Sequence, residues 1–145
     1  MTNIHLLGAN HSAAKYLVSA SLLSGFSLYL YTRSIPSNSA FSPYSDLPNN
    51  LESSDIVICL IPINYASDLI RSLFKDISLP PVFFVFLSST SILSKLNTNS
   101  LDAPQYSFFE MGELSLKSFF ATHPQCRLFV LRLPLLWGFQ QDKNI

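Results

Sequence analysis

The residues of this chain best suited to chemistry gather at one turn near its start. Ile4 to Leu7 run into Gly8, and Asn10, His11 and Ser12 follow before a helix-compatible stretch, Ser12 to Ser24, leads to Gly25. A strand that closes on glycine and reopens as a helix aims backbone amides and the positive end of a helix dipole at one point, which suits an anion such as phosphate. His11 can donate to such an anion. Both side chains also have ordinary structural uses, His11 as a solvent-exposed loop residue and Ser12 as an N-cap.

The elements that must position this turn follow from apolar periodicity. Five strands are predicted, at Asn3 to Leu7, Ser27 to Tyr31, Asp55 to Leu60, Val82 to Leu87 and Arg127 to Leu133. Three of them contain nearly continuous apolar runs, as in parallel sheets covered by helices on both faces. Between them, helical spacing places Ala13, Tyr16, Leu17, Ala20 and Leu23 on one face of Ser12 to Ser24. The same spacing groups Leu69, Ile70, Leu73 and Phe74 within Tyr65 to Ile77, and Met111, Leu114 and Phe119 within Ser107 to Thr122. Gly25 stands where a left-handed helix C-cap requires glycine. Residues 34–50 and 94–106 lack a period and read as irregular loops, the first with one irregular edge strand around Phe41. The alternation of strand and helix predicts an α/β fold, a three-layer doubly wound parallel sheet of five or six strands, in a single domain over residues 1–145.

Composition narrows the partners. The chain has 145 residues, 48% hydrophobic and 12% charged, which is ample for a core. Nine basic residues balance nine acidic ones without clustering, so a nucleic-acid backbone has no electrostatic hold. The longest apolar stretch is far short of the ~20 residues of a membrane span, and no basic leader with an apolar core opens the chain. A cytoplasmic location without membrane contact is expected. Cys59 and Cys126 have neither metal-ligand spacing nor a disulfide pattern and read as buried thiols.

Four segments in order carry a resemblance to a known family. GANHSAA at Gly8 corresponds to a GATGxxG turn, DIVICLIP at Asp55 resembles DVVIHLAA, VFLSSTSIL at Val85 resembles VFxSSxxVYG, and VLRLPLLWG at Val130 is similar to LRLPxVYGP. Together they resemble the extended and atypical short-chain dehydrogenase/reductase superfamily, which contains NAD-dependent sugar-nucleotide epimerases and dehydratases. The resemblance implies a Rossmann-like nucleotide-binding domain, with the cofactor held by Gly8, Asn10, His11, Ser12, Ala13, Arg33, Ile61 and Pro62. No acid follows the second strand to hold ribose hydroxyls, and Arg33 stands where a 2'-phosphate would lie, so NADP is favoured over NAD.

The departures from that pattern are as informative. His11 replaces the second glycine, where the pyrophosphate approaches the backbone, and Ala14 replaces the third. The resemblance implies Ser89 as a catalytic hydroxyl, with Ser88 and Thr90 beside it, and Tyr106 as the nearest candidate proton donor. The Tyr-Lys pair is missing, since Glu110 follows Tyr106 four residues on, and a carboxylate there disfavours phenolate. Glu113 reads as a solvated helix residue, and the Arg of LRLP as needing no ligand. No segment after Gly138 is long enough for a substrate lobe. Two classes remain: an NAD(P)-binding domain of the epimerase/dehydratase type with weak or lost catalysis, or a noncatalytic Rossmann scaffold. The scaffold would act on a protein partner or as a homo-oligomer through aromatics at Phe41 to Tyr44 and Trp137. A translated remnant of a longer enzyme is a third expectation.

Overall fold

The computed structural model describes residues 2–11, 13–33, 40–89 and 103–133, with the backbone alone for Ser89 and residues 103–106. Its elements run β1 (Asn3–Leu7), α1 (Ala14–Leu23), β2 (Ser27–Tyr31), a 3-10 turn (Tyr44–Asp46) leading into α2 (Leu47–Asn50), β3 (Ile56–Cys59), α3 (Ile63–Leu73), β4 (Phe83–Ser89), α4 (Ala103–Ala121) and β5 (Arg127–Leu133). The strands form a parallel sheet in the order β2-β1-β3-β4-β5. The predicted α/β, doubly wound Rossmann-like architecture is therefore present. β1, β2 and β5 have the predicted bounds, β3 is shorter by one residue at each end, and β4 begins one residue later and runs on to Ser89, opposite Leu133.

One face of the sheet carries most of the core. Leu7, Tyr31, Val57, Cys59, Phe84 and Phe86 point from the strands toward Ile63, Ala66 and Ile70 of α3 and Phe109, Leu116 and Phe120 of α4. Phe84 anchors this layer, with its ring centroid 4.8 Å from Phe120 and edge-on to Phe74 at 6.1 Å. Such aromatic pairs add directional contact to the burial of large apolar surface. α3 and α4 cross in close backbone contact at Gly112, where a Cβ would lie 2.8 Å from the Asn64 Cα. Arg71 of α3 ties the crossing by donating to the Ser115 hydroxyl at 2.7 Å and carbonyl at 3.0 Å.

The other face is covered unevenly. α1 packs Ala14, Leu17 and Val18 over Leu6, Leu30, Ile58 and Leu60. Beyond α1, Phe83, Phe129 and Leu131 of the outer strands are exposed, and an apolar groove of about 330 Å³ runs between Tyr16, Leu17, Val85, Leu87, Leu131 and Leu133. Parallel sheets are ordinarily covered on both faces, and among the described residues no element covers this half-face.

Helix faces depart from the predicted ones. In α1 the buried residues are Ala14 and Ser21, while Tyr16 and Leu23 are exposed. The helix turns its small residues to the sheet because they allow close approach. In α4, Met111 and Leu114 are exposed and Phe109, Gly112, Glu113, Leu116 and Phe120 are buried, since only glycine fits the α3 crossing. α4 also starts at Ala103, inside the predicted loop 94–106, with Pro104 in the first turn, where a missing N–H costs nothing.

The predicted loop 34–50 is partly ordered. Ser42 makes a single parallel bridge to Tyr31, which is all that remains of the irregular edge strand expected around Phe41. The 3-10 turn and α2 follow, with Pro48 again in a first turn. Phe41 and Tyr44 pack against the two cores instead of standing free as contact points, and Trp137 lies outside the described residues. Gly25 behaves as predicted: at φ +81° its amide donates to the Leu22 carbonyl and Phe26's to the Ser21 carbonyl, a glycine-closed helix end. Cys59 and Cys126 are buried free thiols.

Gly112→Ala tests the crossing. Ala in a helix interior ordinarily gains stability over Gly, but here the added Cβ meets backbone that cannot move aside. A loss of about 1–3 kcal/mol in denaturant unfolding is expected, and a gain would show that the helices are farther apart.

Candidate functional site

The strand order reverses between β1 and β3, since the chain passes from β1 outward to β2 and then returns to build β3, β4 and β5 on the other side. In open α/β sheets the crevice at such a reversal, beyond the carboxyl ends of the strands, is where ligands bind. Here those ends are Leu7-Gly8 and Cys59-Leu60-Ile61. They are locked together by the Leu60 amide donating to the Leu7 carbonyl at 2.9 Å. Gly8 takes φ +77°, and a Cβ on it would sit 3.4 Å from Ile61 Cγ1. The left-handed backbone, more than the space, demands glycine there. Gly8 and Ile61 are thus brought together as predicted, with Pro62 next to Ile61 as the N-cap of α3.

The turn after Gly8 is closed on itself. The His11 amide donates to the Gly8 carbonyl at 2.9 Å, and the Ala14 amide to the His11 carbonyl at 3.0 Å. The Ala13 amide donates to His11 Nδ1 at 3.1 Å. An amide that a helix N-terminus would offer to an anion is therefore taken by an imidazole nitrogen. Because Nδ1 accepts, it carries no proton in this arrangement. His11 serves as an internal cap, a role different from both a phosphate donor and a free loop residue. Asn10 is exposed, Ala13 is buried, and Ser12 lies outside the described residues.

The strand ends, the positive-φ glycine and the Ile61 side chain are the parts of this turn that a nucleotide would meet. Its phosphates would need His11 to swing out of its cap. A second feature favours a ligand near β2. Thr32, buried just before Arg33, has an Oγ1 with no hydrogen-bond partner in the structure. Buried hydroxyls are ordinarily paired. Arg33 itself is exposed, two residues beyond the end of β2.

Tyr44 was not legible as a site residue, yet it closes the cleft. Its phenol lies close enough to the Gly8 amide and to Arg33 for both to act on it. Burial pushes the phenol up, the neighbouring Cys59 adds to this, and the Gly8 amide and Arg33 pull it back. Cys59 is pushed up to about 12 by burial, so it is an inert wall thiol.

At the carboxyl ends of β4 and β5 a second polar cluster overturns the reading of Glu113 as a solvated residue. Glu113 is 3% exposed; its Oε1 accepts two bonds from Arg132, at 2.8 and 3.1 Å, and its Oε2 accepts the Ser88 hydroxyl at 2.9 Å. The Arg of LRLP, Arg132, is thus held within the chain by Glu113. That bond and the Glu113 charge raise the Arg132 guanidinium above its ordinary value. Periodicity hides this pair because one polar residue on an apolar helix face looks like noise. Ser89 ends β4 and Tyr106 sits in the first turn of α4, with both side chains outside the described residues. No cluster of metal ligands and no helix long and apolar enough to cross a membrane exists among the described residues.

No protein-family model matches the sequence, and no curated protein matches it either. A solved structure does. The fold is similar to that of a short-chain dehydrogenase/reductase superfamily protein from Agrobacterium tumefaciens with bound NAD, at a TM-score of 0.62 and 17% identity. The similarity covers 89% of this chain and 48% of that one, so the chain spans about half the length of its structural neighbour. At that identity the likeness shows the Rossmann-like fold.

The Glu113 cluster makes an asymmetric prediction. Arg132 is partly exposed and can turn to water when its partner is removed, whereas Glu113 cannot. Arg132→Ala should cost about 3 kcal/mol and Glu113→Gln about 1–2 kcal/mol in denaturant unfolding. The opposite order would show that Glu113 is more hydrated than its burial indicates.

Proposed function

We propose that this chain is an NAD(P)-binding domain of the short-chain dehydrogenase/reductase kind, resembling epimerases and dehydratases, with weak or lost catalysis. It acts as one cytoplasmic domain. The observation that carries the reading is the positive-φ Gly8 turn at the strand-order reversal, packed against Ile61. Gly8, Asn10, His11, Ser12, Ala13, Ile61 and Pro62 form the cofactor turn and its wall. Arg33 meets the 2'-phosphate of NADP, since β2 ends in Tyr31-Thr32-Arg33 with no acid to hold ribose hydroxyls. Ser89 and Tyr106 are the candidate hydroxyls, without a Lys to lower the Tyr pKa. The structural neighbour's bound NAD supports a dinucleotide as the ligand.

A second reading is favoured by one observation, the bare half-face at Phe83, Phe129 and Leu131. It makes the domain a noncatalytic scaffold that covers this surface with a protein partner or another copy.

Calorimetric titration with NADPH and NADH separates the two. NADPH should bind about tenfold more tightly than NADH, and Arg33→Ala should remove most of that preference, because a phosphate contact with arginine contributes on the order of 1–3 kcal/mol. With sugar nucleotides present, no oxidation or reduction of the bound cofactor is expected. Silence toward both nucleotides at millimolar concentration would refute the cofactor reading and leave the scaffold.

A further inference from the structure

On the α3/α4 face of the sheet, behind the Gly8 turn, four polar groups are joined in a buried line that no part of the cofactor reading uses. The Asn50 side-chain amide donates to the Tyr31 hydroxyl at 3.1 Å, the Tyr31 hydroxyl lies 2.9 Å from His5 Nδ1, and His5 Nε2 lies 2.8 Å from Asp55 Oδ2. His5 and Tyr31 are fully buried and Asp55 nearly so. The direction of each bond follows from chemistry. A carboxylate only accepts, so Nε2 carries the imidazole proton; Nδ1 then accepts, and Tyr31 donates to it while its oxygen receives Asn50. Asp55 is further held by the Glu52 amide at 2.9 Å and the Asn3 amide at 3.2 Å.

Each end of this line holds something. Asn50 is the last residue of α2, and the turn just before α2 carries Tyr44, which packs against the core and whose phenol is near enough to the Gly8 amide to feel it. Tyr31 also fixes the cofactor turn directly, its carbonyl accepting the Ala9 amide at 3.0 Å. We propose that Asp55, His5, Tyr31 and Asn50 form a latch that holds residues 44–50 as a wall of the nucleotide cleft, and that protonation of His5 releases it. A proton arriving from solvent binds Nδ1. Tyr31 must then accept from both His5 and Asn50, and its own hydrogen loses its acceptor.

The surroundings set the sign of the effect. The imidazole is stacked on Tyr29 at 4.8 Å and faces Asp55 and Glu52 from the segment before β3, while Tyr31 faces Asp46 of the 3-10 turn. Burial lowers His5 from its ordinary 6.5, outweighing the hydrogen bond and charge of Asp55 and the charge of Glu52. Burial also pushes Tyr31 up to about 12, so it stays a donor. A folded value below the unfolded one means that the latch is complete above pH 6.5 and weakens as pH falls below it. Asp55 adds no opposing effect: burial raises it, but the bonds from His5 and the Glu52 and Asn3 amides bring it below 3.8, so its own loss comes only in stronger acid.

The role of the latch in the cleft rests on the cofactor reading, so the test has two independent readouts. Nitrogen-15 spectra of the wild-type protein at about pH 7.5 should show His5 as the neutral Nε2–H tautomer. Between about pH 7.5 and 5.5, amide protection of residues 44–50, corrected for intrinsic exchange, should fall about tenfold relative to β4. Tyr31→Phe should show the lower protection at both pH values. NADPH affinity should weaken in parallel in the wild type and lose its pH dependence in the variant. An Nδ1–H tautomer, or protection of residues 44–50 that does not respond to pH, would overturn the latch even if NADPH binds. Absence of NADPH binding at every pH would instead overturn the cleft role and the cofactor reading, whatever the exchange shows. Should Tyr31→Phe not fold, the wild-type exchange and tautomer still decide.

Discussion

The rest of the structure depends on the seam between β1 and β3. Parallel strands cannot be joined by tight turns, so each connection must travel over a face of the sheet and re-enter beside its neighbour. When the chain leaves β1 for β2 on one side and then returns to build β3 on the other, the two connections part above the seam and leave a crevice. Leu7 and Leu60 are bonded across it, and Gly8 and Ile61 line its lip. The position of every cofactor candidate except Arg33 follows from this seam, and Arg33 is placed by β2 in register with β1.

Among the described residues two carboxylates, Asp55 and Glu113, are buried. Asp55, ahead of β3, is held by His5 and two amides. Glu113, beside the carboxyl ends of β4 and β5, is held by Arg132 and Ser88. In both cases a carboxylate in a low-dielectric setting is satisfied on both oxygens, which is the condition for burying it at all. The first fastens the segment between α2 and β3 to β1; the second fastens α4 to the outer strands. Together they do for position what the aromatic layer around Phe84 does for cohesion.

How far this was legible in the sequence depends on what each element answers to. Buried parallel strands answer to burial, so continuous apolar runs such as Ile56 to Ile61 and Val82 to Leu87 revealed three of the five, and β-rich runs between turn residues marked the others. Helix orientation answers to close approach, and Met111 and Leu114 drew the α4 face the wrong way because Gly112, the true contact, carries no hydropathy. The Gly8 turn was legible because positive φ restricts residue choice. The cap made by His11 was not, since which acceptor an amide finds depends on atoms a few tenths of an ångström apart. His5 left no trace and Tyr44 stood out only as a contact aromatic, as each acquires its surroundings only when segments far apart in sequence meet.

The proposal turns on a single cap: the Ala13 amide, which a dinucleotide phosphate would use, is occupied by the His11 imidazole. The most direct measurement is an NMR titration of the His11→Gly variant and the parent with NADPH, following the amides of Ala9, Asn10, Ala13 and Ala14. The account predicts tighter binding by the variant, with the largest shifts at those four amides. Weaker binding by the variant, or shifts centred elsewhere on the domain, would contradict it.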